Sequence, residues 1–128
     1  IPALIRKFHD AKTNNHSAVT LWGSGKPMRE FLHVDDLALA VYFVLKKNLG
    51  EEIYNVGSGQ DISIKDLSKK IKKIVGFEGK VNWDKSKPDG TPRKLLDISK
   101  LKNLGWNQKI GLDQGLTNTY TWYKKKYN

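Results

Sequence analysis

Residues 22–36 contain the side chains of this sequence that are best suited to bind a charged ligand. Trp22 is followed by a glycine-containing turn, and Arg29 follows that turn, ahead of two adjacent acids, Asp35 and Asp36. An arginine suits a diphosphate because its planar guanidinium can donate two parallel hydrogen bonds and stays charged. Spacing alone leaves a second interpretation open, a surface arginine paired with a nearby acid. Trp22 could likewise stack on a ligand ring or cover the core.

Two glycine-containing turns do not fit known phosphate-binding loops. Residues 23–26 lack the four-residue spacer and the Ser or Thr after the lysine that a P-loop requires. Residues 57–59 follow a predicted strand, but no third glycine comes at the spacing of a dinucleotide loop. We interpret both segments as turns and assign no cofactor-binding residue in this chain.

No catalytic or metal-binding set can be built from the sequence. It contains no cysteine, which excludes disulfides, thiolate metal ligands and a cysteine nucleophile within this chain. His33 lies in an apolar segment, and His9 and His16 add no ligands at a defined metal-site spacing. No Ser/His/Asp arrangement can be specified either. We therefore assign no catalytic residue and no metal ligand.

Composition indicates one compact globular unit. The chain has 128 residues, of which 38% are hydrophobic and 28% charged, an ordinary mixture for a folded protein. Its apolar runs are shorter than the ~20 residues of a membrane span, and no signal peptide is recognisable, so we expect a cytoplasmic protein without a membrane partner. The net charge of +10 leaves a basic polyanion-binding module open as an alternative. Because the aromatic residues are not interleaved with the lysine runs, we expect a solvated basic surface and no nucleic-acid partner.

Hydrophobic periodicity predicts alternating helices and short strands. Helices are expected at residues 2–12, 36–47, 64–75, 99–104 and from 112 to the basic tail. Strands are expected at residues 18–22, 31–34, 53–56 and 81–83. Asp35 is the predicted N-cap of the second helix, which is apolar nearly all round and is expected to be buried between two layers. Ser63 and Asp66 resemble a capping box at the start of the third.

These elements predict an incomplete α/β structure. Three or four strands are too few for an independent doubly wound sheet, so the fold class is a small mixed α/β lobe completed by another domain. The sequence begins at Ile1-Pro2, in what reads as the first turn of a helix without a capping residue. We therefore expect the chain to be part of a longer protein.

Five segments resemble, in order, the GDP-L-fucose synthase family of extended short-chain dehydrogenases/reductases. They are residues 2–8, 22–36, 54–59, 86–97 and 104–106. The motif at residues 29–36 is shared broadly by enzymes of this superfamily that act on sugar nucleotides. The run at residues 87–97 is more particular to the fucose synthase branch.

The resemblance implies a role for the chain as a whole. Residues 1–128 would be the carboxyl-terminal substrate-binding domain, without the Rossmann cofactor domain. Family enzymes convert GDP-4-keto-6-deoxy-D-mannose to GDP-L-fucose by epimerisation at C3 and C5 and NADPH-dependent reduction at C4. The catalytic Ser, Tyr-x-x-x-Lys, Cys and His would precede Ile1, so this chain alone is expected to bind no NADPH and to be inactive. Its expected partners are a GDP-sugar, its own amino-terminal cofactor domain and a second copy in a homodimer.

The resemblance also implies which residues bind the substrate. Lys7, Trp22, Arg29 and Asp89 fall on substrate-binding positions of the family, and Lys94 is expected to join Arg29 near the diphosphate. An alternative within the superfamily is the substrate lobe of another sugar-nucleotide epimerase, dehydratase or reductase. The run at residues 87–97 favours the fucose synthase branch over it.

Overall fold

A computed structural model describes residues 1–127 of the chain. Its helices are α1 (Pro2–Thr13), α2 (Val34–Lys47), α3 (Ile64–Val75), α4 (Ser99–Asn103) and α5 (Leu112–Tyr127). Its strands are β1 (Ala18–Trp22), β2 (Met28–Glu30), β3 (Asp61–Ser63), β4 (Lys80–Asp84) and β5 (Arg93–Lys94). The predicted fold class is confirmed, because the chain is a mixed α/β unit with small sheets.

The strands form two small sheets. In the first, β1 and β4 are parallel, with Ala18 opposite Lys80 and Trp22 opposite Asp84. In the second, β2 is the central strand, antiparallel to β3 on one side and parallel to β5 on the other. The connecting loop, defined here as residues 85–92, therefore runs from the end of the first sheet to the edge of the second.

The main core lies among α1, α3, α5 and the first sheet. It is formed by Ile5, Phe8, Ala11, Val19, Leu21, Leu67, Ile71, Val75, Phe77, Leu116 and Tyr120. The capping prediction for α3 is confirmed, since the Ser63 side chain accepts a hydrogen bond from the backbone N–H of Asp66 at 3.0 Å. The helix ends at Gly76 in a left-handed conformation, which glycine adopts readily.

A second cluster lies under α2 and α4. Its buried residues are Ala40, Leu101 and Trp106, with Leu32, Phe43, Val44, Tyr54 and Val56 packed against them. Asp36 connects this layer to the segment before α5. The side chain is 1% exposed, and its carboxylate accepts hydrogen bonds from the backbone N–H groups of Lys109 and Ile110 at 3.0 and 2.8 Å.

The start of α2 and the strand before it differ from the prediction. The strand is Met28–Glu30 and not residues 31–34, because pairing with β3 and β5 occurs at those three residues. The helix then begins at Val34, and its N-cap is His33 rather than Asp35. His33 Nδ1 accepts a hydrogen bond from the backbone N–H of Asp35 at 3.3 Å, which is the bond that a capping side chain makes.

The predicted strand at residues 53–56 is wrong. This segment has no regular structure, and Ile53 is 85% exposed. A strand needs a neighbouring strand to satisfy its backbone, and none lies beside this segment among residues 1–127. The structure instead has β3 at Asp61–Ser63, a segment for which we predicted no strand.

The predicted burial of α2 is correct on one side of the helix only. Ala40 is fully buried, but the outer face of α2 is exposed. This face consists of Val34, Leu37, Val41 and Leu45, which are 68, 45, 50 and 73% exposed. Their spacing of three or four residues places them in one stripe along the helix.

Candidate functional site

Trp22 is presented to solvent at the end of β1. Burial alternates along this strand, so Val19 and Leu21 face the main core and Trp22 points away from it, 69% exposed. Two ammonium groups approach the indole: Nζ of Lys7 and of Lys87 lie 5.8 and 5.7 Å from its ring centroid. Both distances suit cation–π attraction. The structure therefore excludes the interpretation that Trp22 covers the core.

The turn after Trp22 is fastened to Asp89 in the connecting loop. Asp89 accepts hydrogen bonds from the backbone N–H and the hydroxyl of Ser24, at 2.7 and 2.5 Å. Gly23 has a φ of +78°, and a Cβ there would lie 2.3 Å from the Asp89 carboxylate. A side chain at position 23 would thus be strained and would also displace Asp89.

The same hydrogen bonds favour the ionised form of Asp89. The hydroxyl and backbone N–H of Ser24 lower the pKa of the Asp89 carboxyl, because both stabilise its ionised form. Asp89 therefore stays ionised to a lower pH than an ordinary carboxyl, and its hydrogen bonds hold the turn and the connecting loop together.

Arg29 occupies the central strand of the second sheet. In the parallel pairing of β2 with β5, it stands directly opposite Lys94, so the two cationic residues are neighbours across the ladder. The guanidinium is half-buried, and Nη1 donates a hydrogen bond to the backbone carbonyl of Met28 at 2.7 Å. A Cβ at Gly90 would lie 3.2 Å from Nη2 of Arg29, so the connecting loop passes beside the guanidinium.

These cations have no acidic partner within the chain as described. Among residues 1–127, no carboxylate oxygen lies within 4.0 Å of the charged nitrogens of four residues: Lys7, Arg29, Lys87 and Lys94. The alternative of an arginine paired with a nearby acid is therefore not what the structure contains at Arg29. Unpaired cations on one surface favour a bound anion.

Glu30 positions this surface, a role that our sequence analysis did not assign. Its carboxylate accepts hydrogen bonds from the backbone N–H of Gly59 and of Leu96, at 2.5 and 3.0 Å, and from the Ser58 hydroxyl at 3.3 Å. It thereby holds the segment after β5 against the turn at residues 57–59. The partners lie far from Glu30 in sequence, so no local pattern could have indicated the role.

The structure brings the five predicted residues onto one open surface. Contacts run from Lys7 to Trp22, from Asp89 to Ser24 beside Trp22, and from the connecting loop to Arg29, next to Lys94. Apart from the half-buried Arg29, these side chains are exposed, so the site is open rather than enclosed. The charges of such a surface suit a phosphate-bearing ligand.

The largely apolar cavity near α5 contains none of the predicted site residues. It measures about 260 Å³ and lies between the start of α1 and α5, lined in part by Ile1, Phe31, His33 and Leu116.

Within residues 1–127, no three His, Asp or Glu side chains are grouped so that they could hold a metal ion. In the same part of the chain, every helix is too short or too polar to cross a membrane.

Comparison with known proteins identifies the class first. Residues 1–57 match the NAD dependent epimerase/dehydratase family. The fold superimposes on the NADP-bound GDP-L-fucose synthetase of Naegleria fowleri with a TM-score of 0.90, at 27% identity, over 98% of this chain and 40% of that one. A GDP-mannoheptose C4 reductase of Campylobacter jejuni gives 0.83 at 40% identity, over 96% and 44% of the two chains. The fold is that of a part of an extended short-chain dehydrogenase/reductase.

Sequence relatives then show which members of that class the chain resembles. GDP-L-fucose synthase 1 of Arabidopsis thaliana is 56% identical over 125 residues, covering 98% of this chain and 39% of the relative. The GDP-L-fucose synthase of Escherichia coli K12 is 49% identical over 134 residues, covering 96% and 41%. The resemblance is confirmed: the chain is homologous to GDP-L-fucose synthases over nearly all of its length. It spans about two fifths of the length of these relatives.

Proposed function

We propose that this chain is the substrate-binding part of a GDP-L-fucose synthase. It holds GDP-4-keto-6-deoxy-D-mannose while epimerisation and NADPH-dependent reduction take place on groups elsewhere in the complete protein, meaning the full gene product that contains this chain. The observation that carries the proposal is the pairing of Arg29 with Lys94 on neighbouring strands, without a carboxylate beside either. Two adjacent cations are suited to a diphosphate.

Each residue of the surface has a role in this proposal. Arg29 and Lys94 bind the diphosphate, and Trp22 offers a ring face and an N–H to the ligand. Lys7 lies beside that ring and adds a positive charge. Asp89 keeps free lone pairs while it accepts from Ser24, so it can also accept from a hydroxyl or amine of the ligand.

Binding at this surface contributes to chemistry that occurs away from it. Holding the nucleotide and diphosphate fixes the keto sugar against the groups that transfer protons and hydride, which lowers the barrier by orientation. Loss of the Arg29 guanidinium is therefore expected to raise KM strongly. If the sugar also loses its orientation, kcat falls as well.

The remaining part of the complete protein supplies the cofactor in this proposal. NADPH binds outside this chain, and the 128-residue part alone is inactive. The outer face of α2 and the side chain of Ile53 support such a partner, because they are apolar and exposed and nothing in the described chain covers them. By resemblance, the complete protein forms a homodimer.

The test is the sugar-nucleotide preference of the complete protein. Oxidation of NADPH is measured with GDP-4-keto-6-deoxy-D-mannose and with the corresponding dTDP-linked 4-keto sugar. The proposal requires turnover with the GDP-linked substrate and a much lower kcat/KM with the dTDP-linked one. The opposite preference would support another sugar-nucleotide enzyme. Turnover with neither substrate would contradict the proposal and is the result expected of a basic polyanion-binding module.

A further inference from the structure

Lys87 is a cation of the connecting loop that no step of the proposed function uses. Its Nζ lies 5.7 Å from the Trp22 ring centroid, nearly the same distance as that of Lys7. Within residues 1–127, Lys87 has no carboxylate within 4.0 Å. Two ammonium groups beside one ring repel each other, and an anion between or beside them would relieve that repulsion.

The backbone around Lys87 is held on both sides. Its own N–H donates to the carbonyl of Asp84 at 3.3 Å. Ser86, the preceding residue, donates from its N–H and hydroxyl to the Asp84 carboxylate at 3.0 and 2.6 Å. On the other side, Asp89 is fastened to Ser24. A lysine on a restrained loop loses less conformational freedom on binding than one on a free loop.

The connecting loop also joins the two ends of the candidate site. Lys87 lies beside Trp22, and Gly90, three residues later, lies beside the Arg29 guanidinium. The Cα atoms of Lys87 and Gly90 are at most about 11 Å apart, so the segment between the two ends is short enough for one nucleoside diphosphate to contact both. One end then carries Arg29 with Lys94, and the other carries Lys7 with Lys87.

We propose that Lys87 is a further ligand-positioning residue, whose ammonium binds the diphosphate group from the Trp22 end of the site. This inference rests on the proposed function. Its consequence is specificity, because cations at both ends favour two linked phosphates over a single one. Lys87 contributes to the binding of a nucleoside diphosphate and little to that of the corresponding monophosphate.

The experiment measures the affinity of the complete protein for GDP and GMP by titration calorimetry. For Lys87→Ala we expect GDP to bind about tenfold more weakly and GMP to change by less than about twofold, because one charged hydrogen bond is lost. Lys87→Arg should recover most of the GDP affinity. Lys85→Ala is the matched control and should change neither affinity, since Lys85 is exposed and forms no ion pair among residues 1–127.

Each outcome supports or overturns the inference. Equal losses of GDP and GMP affinity in Lys87→Ala would mean that Lys87 only maintains the loop, and an unchanged GDP affinity would mean that it does not touch the ligand. Either result overturns the inference while the wild-type protein still binds GDP, so the proposed function survives. Wild-type protein that binds neither nucleotide would overturn both.

Discussion

The main core and the second cluster are covered to very different degrees. In the main core, Phe8 and Leu67 are completely buried by α1, α3, α5 and the first sheet. In the second cluster Ala40 is completely buried, yet on the other side of the same helix Leu45 is 73% exposed. The main core is thus closed by elements of this chain, whereas α2 has one covered side and one open apolar side.

The difference in burial indicates which surface of the chain contacts another part of a protein. A stripe of four apolar residues along one exposed helix face is typical of a surface that contacts another protein part. The candidate site lies away from this stripe, on β2, β5, the connecting loop, the end of β1 and Lys7 of α1. We expect the stability of this chain to depend mainly on the main core, and we propose that the open side of α2 contacts another part of the complete protein.

The largest expected effect is loss of a buried side chain in the main core. Leu67→Ala removes a fully buried leucine from α3 and should lower the free energy of unfolding by about 2–5 kcal/mol, through lost burial and the cavity left behind. Leu45→Ala should change the free energy of unfolding of the same 128-residue chain by less than about 0.5 kcal/mol, because the Leu45 side chain is exposed. Urea denaturation measures both, and equal effects would contradict the distinction between the two regions.

The next effect concerns the connection of α2 to the rest of the molecule. Asp36→Ala should lower the free energy of unfolding by about 1–3 kcal/mol, because it removes the buried carboxylate that accepts from the backbone N–H groups of Lys109 and Ile110. Asp35→Ala is the matched control: the neighbouring acid in the same helical turn has a side chain that is 72% exposed. Thermal denaturation compares the two variants. Equal melting temperatures would contradict the role of Asp36 in connecting α2 to the segment before α5.

A charged residue on the outer face of α2 should affect the thermal unfolding of the 128-residue chain and of the complete protein differently. Leu45→Asp should hardly alter the thermal unfolding of the 128-residue chain, because the side chain is already in water. In the complete protein the same change should lower the melting temperature by several degrees, because it places a charge in an apolar contact. A melting temperature unchanged in both would show that nothing covers this face.

The smallest effect is a local one at the Asp89 contact. The pKa of Asp89 is lowered in the folded chain, so this contact contributes stability at pH values above the ordinary carboxyl pKa of 3.8 and loses it as the pH falls through the lower folded value. The backbone amide resonance of Ser24 should therefore shift with a midpoint below pH 3.8. In Asp89→Asn this shift should vanish, and its persistence would mean that another group titrates there.

Local elements of the fold were predictable, and pairings between distant segments were not. The periodicity of α3 and its capping residues Ser63 and Asp66 lie within a few positions of one another, so the sequence reveals them. The errors at residues 31–34 and 53–56 have one cause. Strand formation depends on a neighbour, and β2 finds its partners about thirty and sixty-five residues further along the chain.

The same limit applies to the candidate site. Arg29 and Trp22 stand out by residue type and by resemblance, but their surroundings arise from tertiary contacts. The register of β2 and β5 sets Arg29 beside Lys94, and no spacing rule predicts that pairing. Likewise, Glu30 could not be assigned a positioning role, because its partners Gly59 and Leu96 come from other segments.

The most direct test of the central claim is the binding of GDP to the complete protein with and without the Arg29 guanidinium. Titration calorimetry of the wild type, of Arg29→Ala and of Arg6→Ala, an exposed arginine on α1, gives the three dissociation constants. We predict that Arg29→Ala binds GDP at least tenfold more weakly than the wild type, and that Arg6→Ala binds it equally well. Equal dissociation constants for the wild type and Arg29→Ala would contradict the assignment of this surface to the diphosphate.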